Sequence, residues 1–362
     1  MDSSSSRPRV LLACDQRVRD NYLAPEELER LEQFADWDWF EGRGGGLYGT
    51  GDETVAAELM DRLGPFDGLI VCHGAPRIDG PIMDRAPALK IIGELEGDRF
   101  ARRIDVEAAW ERGVRTVDTT NGSSYPVAEW ALGLILVSLR NAGARFREFI
   151  AGEPEKAQAG RTKTRGILTG KRVGLIGCGH IGRRLIEFLR PFDAQVWVYD
   201  PYLPGELADV VGFLKTSLDN VMSQCDAVVC VAPLTPGTEG MIGRRELALM
   251  PSGSVLVNVS RGAIIDSTAL IERLRIGDIT AGLDVFHPEP IPADSEILHM
   301  PNVFLSPHFA GLTGDAYPHF FRLMVDEFDR FFHGHETRFD LTPRSLADRR
   351  GDESAQQESG SA

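Results

Sequence analysis

The sequence has few of the features that mark secreted, membrane-spanning or metal-binding proteins. Only five of its 362 residues are cysteine, with no CxxC pair and no metal-ligand spacing, so neither disulfides nor a metal site is expected. No apolar run reaches the roughly 18 residues of a membrane span. The serine-rich start lacks the apolar stretch of a signal peptide. We therefore expect reduced core thiols in a cytoplasmic protein.

Basic residues are also in the minority. Lys and Arg number 39 against 54 Asp and Glu, which gives a formal net charge of −15. Nucleic-acid binding needs clustered positive charge, so we expect neither a nucleic-acid nor a membrane partner, and we expect the acidity to serve solubility. Apolar residues make up 43% of the chain, enough for full-sized cores, and the length favours more than one domain.

Short apolar runs alternate with helical patterns along most of the chain. This alternation predicts an α/β fold with parallel, doubly wound sheets in two Rossmann-like domains separated by a cleft. One domain is expected over residues 1–125, joined by a returning segment at about 309–344, and the other over 126–308. A long apolar helix is expected from Val127 to Arg140, continuing toward Ile150. The polar tail, 345–362, is expected to be disordered.

The region between residues 173 and 200 has the parts of a dinucleotide-binding unit in order. These parts are an apolar strand (Val173–Ile176), three glycines with GxGxxG spacing (Gly177, Gly179, Gly182), an amphipathic helix, a second strand (Gln195–Tyr199) and a terminal acid (Asp200). A lone glycine-rich turn would be weak evidence, because ordinary βαβ units also contain one. The complete series favours a nucleotide site.

Each part has a physical reason. Gly177 permits the tight turn, Gly179 lets a pyrophosphate approach the backbone, and Gly182 lets the helix pack closely on the strand. The helix start offers N–H groups to the phosphates. Asp200 would accept hydrogen bonds from a ribose 2′-hydroxyl and repel a 2′-phosphate, which favours NAD over NADP. Residues 126–308 are therefore predicted to bind NAD.

Polar residues follow three later strands, where an open α/β sheet places its ligands. They are Arg261, Asp284 with Glu289 nearby, and His308. Hydride transfer to a carbonyl carbon fits them: a histidine can move the proton, a carboxylate can stabilise the imidazolium, and an arginine can bind a substrate carboxylate. Taken singly, each such residue is more often solvated or structural.

At these residues the chain resembles the D-isomer-specific 2-hydroxyacid dehydrogenase family, over about Phe66–Phe332. The resemblance is strongest in four segments: Gly177–Gly182, Leu249–Asp266, Gly282–Pro290 and Ser306–Thr313. It implies an NAD-dependent oxidoreductase that reduces a 2-oxo acid to the D-2-hydroxy acid with NADH. It also implies a homodimer formed through the cofactor domain, for which the apolar helix at 127–140 would be suitable.

The resemblance also implies individual roles. Arg261 would orient the 2-oxo acid, and His308 would be the acid/base, paired with Glu289. Asp284 would hold the nicotinamide carboxamide. Further implied cofactor contacts are His180 and Ile181 at the pyrophosphate, Asp200 at the adenosine ribose, and Ala232, Pro233, Thr238, Val259, Ser260 and Arg261 along the groove.

Residues 93–105 depart from the family pattern, in which a glycine-rich turn binds the substrate carboxylate through backbone N–H groups. Only Gly97 and the Ile104–Asp105 ending match, and the segment is longer and highly charged. Either the charges are solvated, or Arg99 or Arg102 binds a second anionic group. The second hypothesis suits a dicarboxylic or phosphorylated 2-oxo acid.

The loop that follows the strand at 66–72 offers further candidates for substrate contact. His73 and Gly74 lie on it, as does Arg77, which could assist in binding a second anion. An enzyme whose specificity is altered by the 93–105 loop is an open alternative.

Two other functions also stay open. Formate and phosphite dehydrogenases have a related fold; the formate enzymes place Gln where Glu289 stands, which argues against formate but not against phosphite. A non-enzymatic NAD sensor, similar to the corepressors built on this fold, could retain the same residues. Turnover with any 2-oxo acid would distinguish an enzyme from a sensor.

Overall fold

The computed structural model describes residues 7–45, 49–97, 101–160, 166–311 and 313–350. The chain divides into two compact units, unit 1 (residues 1–123 and 313–362) and unit 2 (residues 124–312). Each unit contains a parallel sheet with helices packed on it, so the predicted α/β class is confirmed. Within the described ranges, no helix is long and apolar enough to cross a membrane.

Unit 1 is built on a five-stranded sheet with the order β2-β1-β3-β4-β5. Its strands are β1 (Arg9–Cys14), β2 (Asp36–Glu41), β3 (Gly68–Val71), β4 (Ile91–Glu94) and β5 (Arg115–Asp118). Its helices are α1 (Gln16–Tyr22), α2 (Pro25–Phe34), α3 (Glu53–Leu63), α4 (Gly80–Asp84), α5 (Val106–Glu111), α14 (Tyr317–Phe332) and α15 (Pro343–Arg350).

Alternation along the strands gives this sheet two apolar faces, because successive side chains point to opposite sides. Leu11 of β1 belongs to a core that includes Leu59 of α3. Val10, its neighbour, belongs to the opposite core, which includes Phe321 and Phe328 of α14. The late helix α14 therefore packs on the sheet formed by the N-terminal part of the chain.

The prediction of disorder from residue 345 onward is wrong for residues 345–350, which form most of α15. Leu346 is buried in the core of unit 1. The hydroxyl of Thr342 accepts a hydrogen bond from the Ser345 N–H at the start of the helix, and Arg349 pairs with Asp118. One buried leucine and two polar contacts thus anchor a segment whose polar composition is typical of disorder. Residues 351–362 lie outside the described residues.

Unit 2 is built on a seven-stranded sheet with the order β12-β11-β10-β9-β6-β7-β8. Its strands are β6 (Arg172–Ile176), β7 (Gln195–Tyr199), β8 (Leu214–Lys215), β9 (Ala227–Cys230), β10 (Val255–Asn258), β11 (Thr280–Leu283) and β12 (Val303–Leu305). Its helices are α6 (Ser124–Leu139), α7 (Ala142–Ile150), α8 (Pro154–Ala159), α9 (His180–Leu189), α10 (Gly205–Val211), α11 (Leu218–Gln224), α12 (Arg244–Leu249) and α13 (Ser267–Arg275).

The helix predicted to continue from residue 127 toward Ile150 is in fact two helices. Asn141 adopts a left-handed conformation with φ of 46°, which ends α6 before α7 begins. Helix α6 buries Ala131, Leu134 and Ile135 in the core of unit 2.

Two elements near the N-terminus, α1 and β2, were not predicted. Strand β2 alternates acidic and aromatic residues and lies at the edge of its sheet, with only Phe40 buried. Its apolar signal is therefore weak, because an edge strand with one covered face needs few aliphatic side chains.

The docking of α15 can be tested by shortening its buried leucine. Leu346→Ala should lower the free energy of unfolding by about 2–4 kcal/mol, because it removes buried apolar atoms and leaves a cavity. Urea denaturation would measure the change. The same substitution at Leu214, which is 51% exposed, should cost about 0.5 kcal/mol or less. Equal losses in the two variants would contradict the docking of α15.

Candidate active site

The glycine-rich turn between β6 and α9 has the geometry that its sequence predicts. Gly177 has φ of +92°, and a Cβ there would lie 2.7 Å from the Ala232 Cα. A Cβ on Gly179 would meet open space, and one on Gly182 would lie 3.1 Å from the Gly177 carbonyl oxygen. Space is therefore left in front of Gly179, which precedes α9 and has no side chain with which to cap the helix.

Asp200 fixes this turn from the end of β7. One carboxylate oxygen accepts a hydrogen bond from the Cys178 N–H at 2.9 Å, and the other accepts from the Tyr202 N–H at 3.0 Å. The Cys178 side chain is buried, which raises its pKa to about 11 and keeps it a neutral thiol. His180 is exposed at the first position of α9, and the next residue, Ile181, is half-buried.

The predicted groove residues connect to one another. The Thr238 hydroxyl donates to the Pro233 carbonyl at 2.6 Å, and the Ser260 hydroxyl donates to the Ala232 carbonyl. Val259 is buried beside Ser260. The Ser260 side chain thus links the loop after β10 to the loop after β9, and the Thr238 side chain closes the loop after β9 on itself.

Arg261 follows β10 and is held by a steric constraint at the next residue. Its guanidinium donates to the Ser260 carbonyl at 2.8 Å. A Cβ on Gly262 would lie 1.8 Å from the Phe286 carbonyl carbon, so only glycine fits there. The turn that carries Arg261 is therefore packed directly against the segment that leads to Glu289.

His308 and Glu289 are brought together after β12 and β11. His308 Nδ1 lies 2.7 Å from Glu289 Oε1, and both side chains are about one-third exposed, at 31% and 37%. His308 has φ of 52°, which is unusual for a residue with a Cβ. The paired imidazole is thus held in a specific orientation while part of it reaches solvent.

Asp284 is fully buried at the end of β11, and its partners explain how His308 is held. One carboxylate oxygen accepts from the Ser306 hydroxyl at 2.5 Å and from the Phe309 N–H at 3.3 Å. The other accepts from the Ala310 N–H at 3.1 Å. In this structure the carboxylate therefore positions the segment that carries His308, and its contact with a nicotinamide carboxamide stays a prediction.

Ser306 and Trp130 extend this network. The Trp130 indole N–H donates to the Ser306 hydroxyl at 2.9 Å, and its ring lies 4.9 Å from that of Phe309. The signal for Ser306 was its place two residues before His308 at a strand end.

In unit 1 the candidate substrate residues are more enclosed than expected. His73 is buried, and burial lowers its pKa to about 4. Its Nε2 lies 3.6 Å from Glu96, whose carboxylate accepts a hydrogen bond from the Tyr22 hydroxyl. Gly74 has φ of +83°, and a Cβ there would lie 2.8 Å from the Gly42 carbonyl carbon. A substrate role for His73 and Gly74 stays a prediction.

The charged segment is not simply solvated, which corrects one of the two hypotheses for it. Arg103 and Glu94 are buried and lie 2.6 Å apart, and the burial of Glu96 raises the pKa of its carboxyl. Only Arg102 among the described arginines of the loop is exposed. Buried charges must be paired, and here the last residue of β4 pairs with an arginine of the segment that follows it.

Arg77, a cationic candidate for binding a second anion, contacts residues of the 93–105 segment. The Arg77 guanidinium lies 3.3 Å from Asp105 and donates to the Arg102 carbonyl at 3.2 Å. The Gly97 N–H donates to the Thr120 hydroxyl at 3.1 Å. Arg99 lies outside the described residues. The second-anion hypothesis therefore stays a prediction.

The role of Ser306 as a donor to a buried charge can be tested by substitution. Ser306→Ala should lower the free energy of unfolding by about 1.5–3 kcal/mol, because hydrogen bonds to charged groups are the stronger ones. A matched control is Ser254→Ala, another buried serine at a strand end, whose hydroxyl donates to the neutral Pro251 carbonyl. This change should cost about 1 kcal/mol. Equal costs by urea denaturation would contradict the proposed role.

Comparison with known proteins agrees with this geometry. Residues 132–310 match the family model described as D-isomer specific 2-hydroxyacid dehydrogenase, NAD binding domain. A solved structure of a phosphoglycerate oxidoreductase from Rhizobium etli matches with a TM-score of 0.79 and 25% identity, over 92% of this chain and 98% of that one.

Two curated relatives cover the chain differently. A D-3-phosphoglycerate dehydrogenase of Methanocaldococcus jannaschii is 36% identical over 72% of this chain, but the match spans only 48% of that protein. A mitochondrial formate dehydrogenase of Hordeum vulgare is 32% identical over 83% of this chain and 80% of its own length. The resemblance seen in the motifs is confirmed: the chain belongs to the D-isomer-specific 2-hydroxyacid dehydrogenase family, and unit 2 contains the family's NAD-binding domain.

Proposed function

We propose that this protein is an NAD-dependent dehydrogenase that reduces a 2-oxo acid to the D-2-hydroxy acid. The observation that carries the proposal is the 2.7 Å pairing of His308 with Glu289 in the unit that contains the NAD-binding domain. A histidine paired with a carboxylate is suited to proton transfer, and a carbonyl reduction needs one proton.

The proposed reaction divides the work between cofactor and protein. NADH, when bound, supplies the hydride. His308, protonated and stabilised by Glu289, gives the proton from Nε2 to the carbonyl oxygen of the substrate. The Arg261 guanidinium pairs with the substrate carboxylate and polarises the adjacent carbonyl.

The residues around the glycine turn fit an NAD molecule. The open space at Gly179 and the N-terminus of α9 suit a pyrophosphate. Asp200 places a carboxylate at the end of β7, where it would accept from ribose hydroxyls and repel a 2′-phosphate. We therefore propose a preference for NADH over NADPH.

Formate oxidation is the main competing activity, because formate dehydrogenases are among the relatives. Glu289 argues against it, since the family resemblance implies Gln at this position in the formate enzymes. Glutamine cannot compensate an imidazolium charge, whereas Glu289 can. This charge difference favours a reaction in which the histidine carries a proton.

Turnover should separate these functions. We expect NADH oxidation with at least one member of a panel of 2-oxo acids that includes pyruvate, glyoxylate, hydroxypyruvate, and branched, aromatic, dicarboxylic and phosphorylated members. His308→Gln should lower kcat by about 10²–10⁴-fold, because it removes the proton donor, while NADH binding persists. His299→Gln, at an exposed histidine of the same unit, should leave turnover unchanged.

The remaining outcomes are also informative. Turnover of formate or phosphite with NAD⁺ but of no 2-oxo acid would replace the proposed substrate class. Tight NADH binding with no turnover of any panel member, formate or phosphite would favour the sensor alternative. A strong preference for dicarboxylic or phosphorylated members would support the second-anion hypothesis.

We also propose that the protein is a homodimer with α7 in the interface. Phe146, Phe149 and Ile150 lie on one face of α7 and are 64%, 65% and 66% exposed. Helix α6, which the sequence favoured for this role, packs one face on the sheet of unit 2, and its place in a dimer interface stays a prediction. A contiguous apolar patch of this kind marks an interaction surface.

The dimer can be tested by making that face polar. The double variant Phe146→Ser, Phe149→Ser should elute as a monomer, because the apolar contact area is lost, and light scattering would give its mass. Val210→Ser, at an 81% exposed position on α10, is the control and should stay dimeric. A wild-type monomer, or a double variant that remains dimeric, would contradict the assignment.

A further inference from the structure

Three potential metal ligands meet in unit 1, beside the carboxyl ends of β3 and β4. They are the Cys72 thiol, the His73 imidazole and the Glu96 carboxylate, and their ligand atoms all lie within 4.8 Å of one another. Cys72 and His73 directly follow β3, and Glu96 lies two residues beyond β4. Ligands of open α/β sheets bind at this edge.

One atom of this group lacks a partner. His73 Nε2 is buried and has no hydrogen-bond partner in the part of the chain that the structure describes. Its nearest charged neighbour is Glu96 Oε2 at 3.6 Å, beyond hydrogen-bond distance, and that oxygen already accepts from Tyr22. The imidazole therefore points at a carboxylate without bonding to it. A buried polar atom without a partner needs an explanation, and a bound ion is one.

We propose that Cys72, His73 and Glu96 bind a zinc ion. Thiolate, imidazole and carboxylate are the ligand types found at zinc sites, whereas Mg²⁺ and Ca²⁺ prefer oxygen alone. Around tetrahedral zinc, ligand atoms stand about 3.3–3.6 Å apart. The His73–Glu96 separation of 3.6 Å lies at the upper end of this range. The Cys72 thiol, which donates to the Glu96 carbonyl at 3.9 Å, would give up that contact to reach the ion.

The charges around the three ligands are compatible with a divalent cation. A Cys72 thiolate and the Glu96 carboxylate together balance two positive charges, with His73 neutral. Two guanidinium groups, those of Arg17 and Arg103, also act electrostatically on His73 and Glu96. The Arg103 guanidinium is held by Glu94, 2.6 Å away, and by the Glu96 carbonyl, 2.9 Å away. Tyr22 would act as an outer partner that orients Glu96 through its hydroxyl.

The ligands come from two separate segments, Cys72–His73 and Glu96, so they do not form a recognisable spacing motif in the sequence. That is why the sequence predicted no metal site. Three protein ligands leave a fourth position for water or an anion. The inference concerns unit 1 alone and does not depend on the proposed dehydrogenase function.

Cobalt offers a direct test in the full-length protein, because it substitutes for zinc and reports its ligands spectroscopically. Protein stripped with a chelator under reducing conditions should bind one equivalent of Co²⁺ with a thiolate-to-cobalt charge-transfer band, and Zn²⁺ should displace it. Cys72→Ser should abolish the band. Tyr22→Phe should weaken binding by about 10–100-fold, and His73→Ala and Glu96→Gln should weaken it further.

The matched control is Cys14→Ser, a buried cysteine at the end of the adjacent strand β1, which should keep the band. Circular dichroism identifies any variant that fails to fold. X-ray absorption spectroscopy at the zinc edge can be done on the wild-type protein loaded with zinc. It should show one sulfur at about 2.3 Å and nitrogen or oxygen at about 2.0–2.1 Å. No stoichiometric cobalt complex, a band that survives Cys72→Ser or is lost in Cys14→Ser, or zinc without exactly one sulfur neighbour would overturn the proposal.

Discussion

The candidate active-site residues of unit 2 lie at the carboxyl ends of its strands, and their arrangement depends on one buried carboxylate, that of Asp284. Its residue is fully buried, and an uncompensated carboxylate there would cost several kcal/mol. Hydrogen bonds to a charged group contribute about 1.5–3 kcal/mol each, so the Ser306 hydroxyl and the N–H groups of Phe309 and Ala310 together offset that cost. All three donors come from one short segment. That segment must therefore adopt one conformation, and the left-handed backbone of His308 is part of it.

Steric constraints at glycine complete what Asp284 begins. Gly262 allows the turn after β10 to touch the Phe286 carbonyl, and any side chain there would push the two segments apart. Because Arg261 precedes this contact and Glu289 follows Phe286 closely in sequence, the contact fixes the spacing of the two functional loops. Gly177 does the same for the nucleotide turn against Ala232. The buried charge of Asp284 thus orients His308, and close backbone packing sets the distance between the loops that carry Arg261 and Glu289.

The sequence was most informative where each part of a motif is local. The nucleotide-binding motif could be predicted because its strand, its glycines and Asp200 follow one another along the chain. The strand ends that carry Arg261 and His308 could be predicted for the same reason. The partners of Asp284 were not, since hydrogen-bond direction depends on a backbone path that composition does not encode. Helix α15 was missed because one buried leucine, Leu346, outweighs a polar composition. The Cys72–His73–Glu96 group was missed because it forms only when two strands lie side by side.

The charged segment after β4 shows why counting charges cannot decide between a surface loop and a ligand site. Glu94 and Arg103 are buried together, and removing either would leave a buried charge at a cost of about 3–5 kcal/mol. The pair therefore holds both ends of the segment in place. Gly97 follows from the same packing, since a Cβ there would lie 2.9 Å from the Glu94 carboxylate. Glu96 lies between these two residues, so its backbone is held in place facing His73. Charged residues that the sequence assigned to solvent or to substrate binding therefore stabilise the fold of the segment itself.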